Sequence, residues 1–320
     1  MKLAVLGTGK IVQEALPVLA ELGVPLCALL STERSRERAQ ALAGRYGIGL
    51  CCSSYEQALE SGADTVYVAL PNALHYEYAR EALLRGKHVI VEKPAVPALA
   101  QLQELRRLAE ARELILAEAV TVHHLPAFRA LAKQLPQLGT IRLAGMNYSQ
   151  YSSRYDAFLG GTTAPVFDPD QAGGALMDLN VYNIHCAAAL FGRPQAVRYC
   201  ANLQRGVDTS GALTLDYGGM TAVCVAAKDC QGENASFIQG ERGRLTMRGA
   251  VSGLTAWELS LRSGERTRFT IDRPGHRMSY EFIEFRRMVE QRDLAGAEEL
   301  LRVSEIAVEI LETARAQLPR

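Results

Sequence analysis

The sequence predicts an α/β protein, with a doubly wound parallel sheet in its N-terminal part and an α+β domain with an antiparallel sheet in its C-terminal part. Two rhythms in the chain of 320 residues lead to this prediction. Up to about residue 120, short apolar runs alternate with helix-length amphipathic segments, as in βαβ units. Later strand-length runs are separated by glycine-containing turns. We therefore expect two domains, 1–120 and 121–320.

Six apolar runs in the first domain have the length and composition of parallel strands, which are buried on both faces in such a sheet. Helical segments lie between them and supply the crossovers that parallel pairing requires. The apolar runs lie at 2–7, 25–31, 48–52, 65–70, 87–94 and 113–119. Two of the predicted helices end near residues 22 and 46, two more span 73–85 and 97–111, and a short one begins near residue 53.

The second domain begins with a helix at about 125–135 and a strand, IRLAGMNYSQY. A long loop, 152–172, contains glycine and proline and leads into an apolar helix, GGALMDLNVYNIH. Seven strand candidates follow, and their short turns are typical of antiparallel pairing. They are AVRYCANL, ALTLDY, TAVCVAAKD, ASFIQGE, RLTMRG, AWELSL and RTRFTI, with two helices, about 278–292 and 297–317, at the end.

Composition excludes several classes of function. The 35 basic and 35 acidic side chains give zero formal net charge, which argues against a nucleic-acid partner. The chain has neither an apolar stretch long enough to span a membrane nor the apolar core of a signal peptide, so we expect a cytoplasmic protein. Seven cysteines without CxxC spacing indicate reduced, mostly buried thiols. No histidine pattern indicates a metal site.

The segment VLGTGKIV joins the first strand to the first helix and has the features of a dinucleotide-binding, or Rossmann, turn. Gly7 permits a tight turn, and Gly9 lets the backbone approach a pyrophosphate at the helix N-terminus. Val12 replaces the third glycine of the fingerprint, so we expect a slightly displaced helix. A purely structural glycine turn is the alternative. The expected cofactor contacts here are Gly7, Thr8, Gly9, Lys10 and Ile11.

The end of the second strand indicates which dinucleotide is preferred. NAD sites usually hold the adenosine ribose with an acidic residue at this point. The chain has Ser31 and Thr32 instead, followed by Arg34 and Arg36, which could accept a 2′-phosphate. The sequence therefore favours NADP(H) and leaves NAD(H) possible. The alternative is that the arginines only form the solvated face of the following helix.

The fourth strand ends in ALPNALH, at the edge where doubly wound sheets bind ligands. Leu70, Pro71 and Asn72 are expected to contact the cofactor, although Asn72 could instead cap the helix. For His75, cofactor contact and a packing role are equally open.

The fifth strand ends in Glu92-Lys93-Pro94, which folding alone does not demand. Pro94 restricts Lys93 to extended geometry and could follow a cis bond, so the ammonium would be aimed at one place. We expect all three residues at the cofactor, with Lys93 also at the substrate. A surface salt bridge at a strand end is the alternative.

These motifs together resemble the glucose–fructose oxidoreductase/inositol dehydrogenase family, Gfo/Idh/MocA. GTGKIV, ALPNALH, GKHVIVEKP and GGALMDLNVY stand in the order and spacing of that family. The resemblance covers essentially the whole chain. It implies a C-terminal domain with a large, mostly antiparallel open sheet, through which members commonly form dimers or tetramers. It also implies a small-molecule substrate: a sugar, polyol or related alcohol, or the matching carbonyl.

Acidic, phenolic and imidazole groups lie in one row of the apolar helix that begins at 173. Asp178, Tyr182 and His185 are spaced by four and three residues, so an α-helix places them on one stripe beside the apolar one. Local pairing of Asp178 and core packing of Tyr182 are the alternative. By resemblance, Lys93 and Asp178 match family catalytic positions. Tyr182 stands at a position that is often histidine in the family but is tyrosine in the glucose–fructose oxidoreductase and dihydrodiol dehydrogenase branches, which moves the expected acid/base role to this tyrosine.

The expected chemistry is hydride transfer between nicotinamide and a carbinol or carbonyl carbon, with Tyr182 moving the proton. A free phenol has a pKa of about 10, so Lys93 would have to favour its ionised form. Asp178 would orient Lys93 or a substrate hydroxyl. A non-catalytic nucleotide-binding regulator is the rival class, and a net hydrolytic or eliminative reaction with retained NAD is a third.

Further substrate contacts are expected around the loop 152–172, which could act as a lid. Tyr148, Arg154 and Tyr155 are candidates, and Arg154 could clamp an anion or pair with Asp156 in a purely structural role. His185 is a weaker candidate, with a packing histidine as the alternative. Lys228, at the end of an apolar strand, is expected to be solvated.

Overall fold

The computed structural model describes residues 1–271 and 275–319 of the chain. They divide into two compact units, Met1–Ala119 with Met278–Glu305 and Val120–Arg277 with Ile306–Arg320. The expected domains, 1–120 and 121–320, follow chain order, whereas Met278–Glu305 belongs to the first unit together with the N-terminal part.

The first unit is built on a sheet of six parallel strands. Their order is the one typical of a dinucleotide-binding fold, with the reversal between the first and fourth strands. The strands are β1 (Leu3–Leu6), β2 (Leu26–Leu30), β3 (Leu50–Cys52), β4 (Thr65–Val68), β5 (His88–Glu92) and β6 (Leu116–Ala119), in the order β3-β2-β1-β4-β5-β6. The predicted doubly wound parallel sheet is confirmed.

Each helix that the sequence predicts has a counterpart at about the expected position, and the described residues also contain the short helices Thr121–His124 and Tyr155–Leu159, which the sequence did not indicate. The predicted helix at 125–135 corresponds to Pro126–Ala132, which begins at Pro126 directly after the extended Leu125. The helices are α1 (Lys10–Glu21), α2 (Arg36–Tyr46), α3 (Tyr55–Leu59), α4 (His75–Leu84), α5 (Leu99–Ala111), α6 (Thr121–His124), α7 (Pro126–Ala132), α8 (Tyr155–Leu159), α9 (Val181–Phe191), α10 (Arg277–Gln291) and α11 (Leu294–Arg315).

The core of the first unit explains why its strands are apolar on both faces. All four residues of β1 are buried, as a strand covered by helices on both sides requires. Helix α10 contributes Phe282 and Phe285, both fully buried, to the same core. The ring of Phe282 meets Tyr67 of β4 edge-on, with 5.4 Å between ring centroids.

The second unit contains a sheet of eight strands. Only the pair β10 and β7 is parallel; every other neighbouring pair described is antiparallel. The strands are β7 (Ile141–Ser149), β8 (Ala196–Gln204), β9 (Val207–Asp216), β10 (Thr221–Ala227), β11 (Ala235–Gly240), β12 (Gly243–Arg248), β13 (Ala256–Leu261) and β14 (Arg266–Thr270), in the order β14-β13-β12-β11-β7-β10-β9-β8. The large, mostly antiparallel sheet implied by the resemblance is confirmed.

A π-helical turn, Leu176–Asn180, precedes α9, so this segment is not α-helical throughout as the spacing predicts. Two buried amides hold the segment on the sheet. Asn180 Nδ2 donates to the carbonyl of Cys224 and Asn183 Nδ2 to that of Val225, at 3.1 and 3.0 Å. Because a π turn holds more residues than an α turn, the regular stripe shifts between Asp178 and the following helix.

Within residues 1–271 and 275–319, no helix combines the length and apolarity needed to cross a membrane.

Candidate active site

The turn after β1 fits a dinucleotide. Gly7 has a φ of +106°, and a Cβ there would lie 2.6 Å from the carbonyl oxygen of Ala69, so only glycine suits this position. Gly9 caps α1, and none of the described atoms lies within 4 Å of the place its Cβ would occupy. A glycine cap brings no side chain to the first N–H groups of the helix, which suits a bound pyrophosphate. Lys10 and Ile11 form the first turn, and Lys10 is exposed.

Val12, which replaces the third glycine of the fingerprint, is fully buried in the core. Thr8 is buried in the turn, where its carbonyl accepts a hydrogen bond from Gln13 Nε2 at 3.1 Å. The displacement of α1 that we expect from Val12 stays a prediction.

The end of β2 carries the residues expected to select the dinucleotide. Ser31 is buried and donates its N–H to the carbonyl of Cys52, whereas Thr32 is exposed and its hydroxyl lies 3.1 Å from that of Ser35. Arg36 is 62% exposed, with its guanidinium 3.4 Å from the carboxylate of Glu33. An ion pair this exposed is weak, so a ligand phosphate could replace Glu33 as the partner.

His75 connects, from the interior of the first unit, the two segments after β4 and β5 that are expected to contact the cofactor. It is fully buried, with Nε2 2.8 Å from the carbonyl oxygen of Leu70 and Nδ1 2.9 Å from that of Pro94. Burial lowers the pKa of His75, although the two carbonyls act in the opposite direction. This arrangement agrees with the packing role that the sequence left open, and direct cofactor contact by His75 stays a prediction. Pro71 is exposed and Asn72 begins a 3₁₀ turn before α4.

The Glu92-Lys93-Pro94 segment is fixed by buried neighbours on both sides. The hydroxyl of Tyr67 donates to Glu92 Oε1 at 2.5 Å, and both residues are buried. Beyond Pro94, which follows a cis peptide bond, the N–H of Ala95 donates to Glu118 Oε1 at 2.8 Å. Lys93 itself is half-buried in the first unit. Sequence reasoning missed the supporting roles of Tyr67 and Glu118.

In the second unit, the glycine pair before the π turn lies against other chain segments. A Cβ on Gly173 would lie 2.6 Å from the carbonyl oxygen of Pro165, and one on Gly174 would meet the carboxylate of Asp208. Asp208 Oδ2 accepts hydrogen bonds from the Leu176 N–H at 2.7 Å and the Tyr199 hydroxyl at 2.8 Å. Burial raises the pKa of Asp208 to about 6. This carboxyl therefore holds the first N–H of the π turn.

Asp178 has an ionic partner that the sequence did not indicate. Oδ2 of Asp178 lies 2.5 Å from the ammonium of Lys228, which is only 2% exposed. The expectation that Lys228 is solvated is wrong, because the strand end on which it lies is covered by the loop before the π turn. The Asp178 side chain stays 31% exposed. It therefore combines an anchored carboxylate with access for a ligand.

Tyr182 and Tyr148 form an aromatic pair, with 6.0 Å between ring centroids. Tyr182 lies in the first turn of α9 and is 7% exposed, and Tyr148 lies in β7 and is half-buried. Two residues expected to meet the substrate are thus neighbours in the second unit.

His185 lies in the core, fully buried, with Nδ1 3.1 Å from Nε2 of His123. The pKa of His123 is lowered well below its usual value, mainly by burial and secondly by the neighbouring His185. His123 is therefore expected to be neutral, and the full burial of His185 agrees with the packing role that the sequence left as the alternative.

The loop 152–172 places its expected substrate residues differently from one another. Tyr155 is buried against Phe158 and Phe167. Arg154 is exposed. Asp156 accepts a hydrogen bond from the hydroxyl of Tyr151 at 2.6 Å. Of the expected substrate residues Arg154 and Tyr155, the exposed Arg154 is the one that an anion from solvent can reach.

The class of protein follows from three features: the glycine-capped first helix, the segments that follow β4 and β5, and the anchored carboxylate of Asp178. They are the features expected of a dinucleotide-dependent oxidoreductase. Comparison with known proteins agrees. Residues 1–120 match the "Oxidoreductase family, NAD-binding Rossmann fold", and residues 132–246 match the "GFO/IDH/MocA C-terminal domain". The chain belongs to the Gfo/Idh/MocA family and is an enzyme of the dehydrogenase and reductase class.

Individual relatives match between about three quarters and nearly all of the chain. It is 35% identical to scyllo-inositol 2-dehydrogenase (NADP(+)) IolU of Bacillus subtilis, over 99% of this chain and 97% of that protein. It is 30% identical to D-xylose 1-dehydrogenase (NADP(+)) 2 of Haloferax volcanii, over 77% of this chain and 75% of that one. The 3-ketoreductase KijD10 of Actinomadura kijaniata, solved with NADP and TDP-benzene, superposes with a TM-score of 0.86 at 25% identity, covering 99% and 97% of the two chains.

Proposed function

We propose that this protein is an NADP(H)-preferring oxidoreductase that moves a hydride between nicotinamide and the hydroxyl-bearing carbon of a sugar, polyol or cyclic alcohol, or the matching carbonyl. The relatives named above are a scyllo-inositol dehydrogenase and a D-xylose dehydrogenase that use NADP(+), and a 3-ketoreductase solved with NADP. The observation that carries the proposal is the Asp178–Lys228 ion pair, which anchors a partly exposed carboxylate four residues before Tyr182. A regulator that only binds a nucleotide has no need of it.

The first unit would hold the cofactor. The N-terminus of α1 and the open side of Gly9 suit the pyrophosphate, and Ser31, Thr32 and Arg36 suit a 2′-phosphate. The segments Leu70–Asn72 and Glu92–Pro94 lie at the carboxyl ends of β4 and β5, where doubly wound sheets bind ligands. His75 would act on both segments through the two carbonyls that it contacts.

Nicotinamide, when bound, supplies or accepts the hydride. In reduction, Tyr182 donates its hydroxyl proton to the carbonyl oxygen as the carbon gains the hydride, and then regains a proton from water. In oxidation, Tyr182 takes the proton of the alcohol. The Lys93 ammonium assists by favouring the anionic oxygen, on the phenol or on the substrate. Asp178 accepts a hydrogen bond from a substrate hydroxyl and fixes the substrate orientation.

Substrate selection would fall mainly to the second unit. Tyr148 beside Tyr182 and the exposed Arg154 are the proposed direct contacts. Tyr155 and His185 are buried and would act by supporting the loop and helix that carry the contact residues. We also propose a homodimer or homotetramer formed through the eight-stranded sheet, where Leu143 and Leu203 are exposed. Light scattering in solution would measure that mass.

The test is a screen of NADP⁺ and NADPH against sugars, inositols, diols and aldehydes, read at the nicotinamide absorbance band. We expect stoichiometric cofactor turnover with at least one polyhydroxylated substrate, and slower turnover with NAD(H). Tight cofactor binding with no turnover of any substrate would favour the regulator. Substrate loss without net absorbance change would indicate a redox-neutral reaction.

A further inference from the structure

Lys228 is a buried cation at the point where three segments of the second unit meet. It directly follows β10, and its backbone N–H donates to the carbonyl of Thr209 at 2.7 Å. Its ammonium donates to Asp178 Oδ2 at 2.5 Å and to the carbonyl oxygen of Val166 at 3.1 Å. The same ammonium lies 4.7 Å from the ring centroid of Phe167. One side chain thus connects the strand, the loop before the glycine pair and the π turn.

This environment leaves the ammonium few alternatives. A charge removed from water is strongly unfavourable unless it is paired and hydrogen-bonded, and here an anion, a carbonyl and an aromatic face meet those needs. Desolvation constrains Asp178 less than Lys228, because the Asp178 side chain is 31% exposed and that of Lys228 is 2% exposed. The buried Lys228 ammonium is fixed in place and cannot follow a movement of the Asp178 side chain. Lys228 therefore restricts the orientation of the Asp178 carboxylate.

We propose that Lys228 is a positioning residue, which holds the Asp178 carboxylate in the orientation that binds the reacting substrate. The inference rests on the function proposed above, in which Asp178 contacts a substrate hydroxyl. Lys228 itself acts only through Asp178 and does not touch the substrate. It gives Oδ2 of the carboxylate a fixed hydrogen-bond donor from a buried side chain, so the orientation in which the carboxylate meets a ligand is set from the protein side.

A positioning role and a merely structural one make different predictions for a pair of substitutions. If Lys228 acts through Asp178, its removal has no further effect once the carboxylate is gone. If it only stabilises the fold, its removal lowers activity by the same factor in either background. A double-mutant cycle separates the two.

The experiment compares wild type, Lys228→Met, Asp178→Asn and the double variant with the best substrate of the screen. Methionine keeps the length of the side chain and removes the charge. We expect Lys228→Met to lower kcat by roughly 10²-fold, as for a misplaced substrate-positioning group. The double variant should match Asp178→Asn within about threefold. Lys133→Met, at an exposed position of the same unit, is the control and should leave activity unchanged.

NADPH affinity, measured by fluorescence titration, should stay within about twofold of wild type in the two single variants and the double variant. The substituted residues belong to the second unit, whereas the first unit is proposed to hold the cofactor, and substitutions with no shared partners have small effects on each other's sites. Equal fold-losses for Lys228→Met in the two backgrounds would overturn the positioning role while leaving the proposed function intact. Near-normal kcat in Asp178→Asn would overturn the positioning role together with the proposed contact between Asp178 and the substrate, whereas absence of turnover in wild type would overturn the proposed function itself. If Lys228→Met does not fold, the double variant still serves as the test, because it contains neither the ammonium nor the carboxylate. Equal kcat values for the double variant and Asp178→Asn support the positioning role. A further large loss of kcat in the double variant overturns it.

Discussion

Oδ2 of Asp208 accepts the backbone N–H of Leu176 at 2.7 Å, so a carboxyl from strand β9 holds the first residue of the π turn. That turn carries Asp178, whose own N–H donates to the carbonyl of Gly174 at 3.1 Å. The position of the proposed substrate-binding carboxylate thus depends on the close approach of a glycine and a buried acid.

Gly174→Ala should therefore destabilise the second unit. Gly174 has a φ of +112°, and a Cβ there would lie 2.8 Å from Cγ of Asp208. We expect the free energy of unfolding to fall by about 3 kcal/mol, from strain and the displaced buried carboxyl together. Gly192→Ala is the matched control. Its φ is +76°, but no described atom lies within 4 Å, so it should lose only the part due to strain. Equal losses in urea unfolding would contradict a role for the contact.

Asp208 should also make stability depend on pH in an unusual direction. Its folded pKa is about 6, raised by burial from a usual 3.8, although the hydrogen bonds from Leu176 and Tyr199 and the charge of Lys228 oppose the rise. The folded state then holds a proton that the unfolded state has lost, so this contribution is complete below about pH 4 and disappears as pH rises through about 6. The difference between the folded and unfolded pKa of Asp208 corresponds to roughly 3 kcal/mol in the free energy of unfolding.

Asp208→Asn removes this titration and serves as the reference. Between about pH 4 and about pH 7, the stability of wild type relative to the variant should fall. Unfolding curves measured at several pH values check this, and parallel pH profiles for the two proteins would show that Asp208 does not titrate in this range.

His75→Gln should weaken cofactor binding although the residue is buried. The imidazole lies between the carbonyls of Leu70 and Pro94, in the two segments that are proposed to contact the cofactor. Loss of that link leaves a buried polar group without its partner, worth about 1–3 kcal/mol, so the Kd of NADPH should rise by roughly tenfold or more. His276→Gln changes an exposed histidine and should have no effect. Unchanged NADPH affinity in His75→Gln would limit this residue to stability.

The sequence predicted those parts of the site that depend on local pattern. Gly7 and Gly9 stand between a strand and a helix, and Asp178 and Tyr182 share one helical segment. The partners of these groups come from distant strands, and single-sequence periodicity carries no information on which strands will meet. Lys228 therefore looked like a solvated strand end, although it is 2% exposed. The π turn was missed because a spacing of 3.6 residues was assumed throughout.

Arg36→Ala should reduce the preference for NADP(H). The Arg36 guanidinium is 62% exposed and weakly paired with Glu33, so it is available to a 2′-phosphate. We expect the Kd of NADPH to rise by about tenfold, with that of NADH nearly unchanged, as for loss of one charge-assisted contact. Arg38→Ala, on the exposed face of the same helix, is the control. Equal weakening of NADH and NADPH in Arg36→Ala would point to helix stability instead of phosphate recognition.

Tyr182→Phe tests the proposed proton transfer with the smallest change available. The substitution keeps the ring that packs 6.0 Å from Tyr148 and removes only the hydroxyl. Turnover should fall by roughly 10²-fold or more, the range of a general acid–base group, while NADPH binding stays intact. Tyr217→Phe removes another phenol of the same unit, next to Phe191 at the end of α9, and should keep normal kcat. Near-normal turnover in Tyr182→Phe would remove this hydroxyl from the mechanism, because no other part of the side chain can exchange a proton with the substrate oxygen.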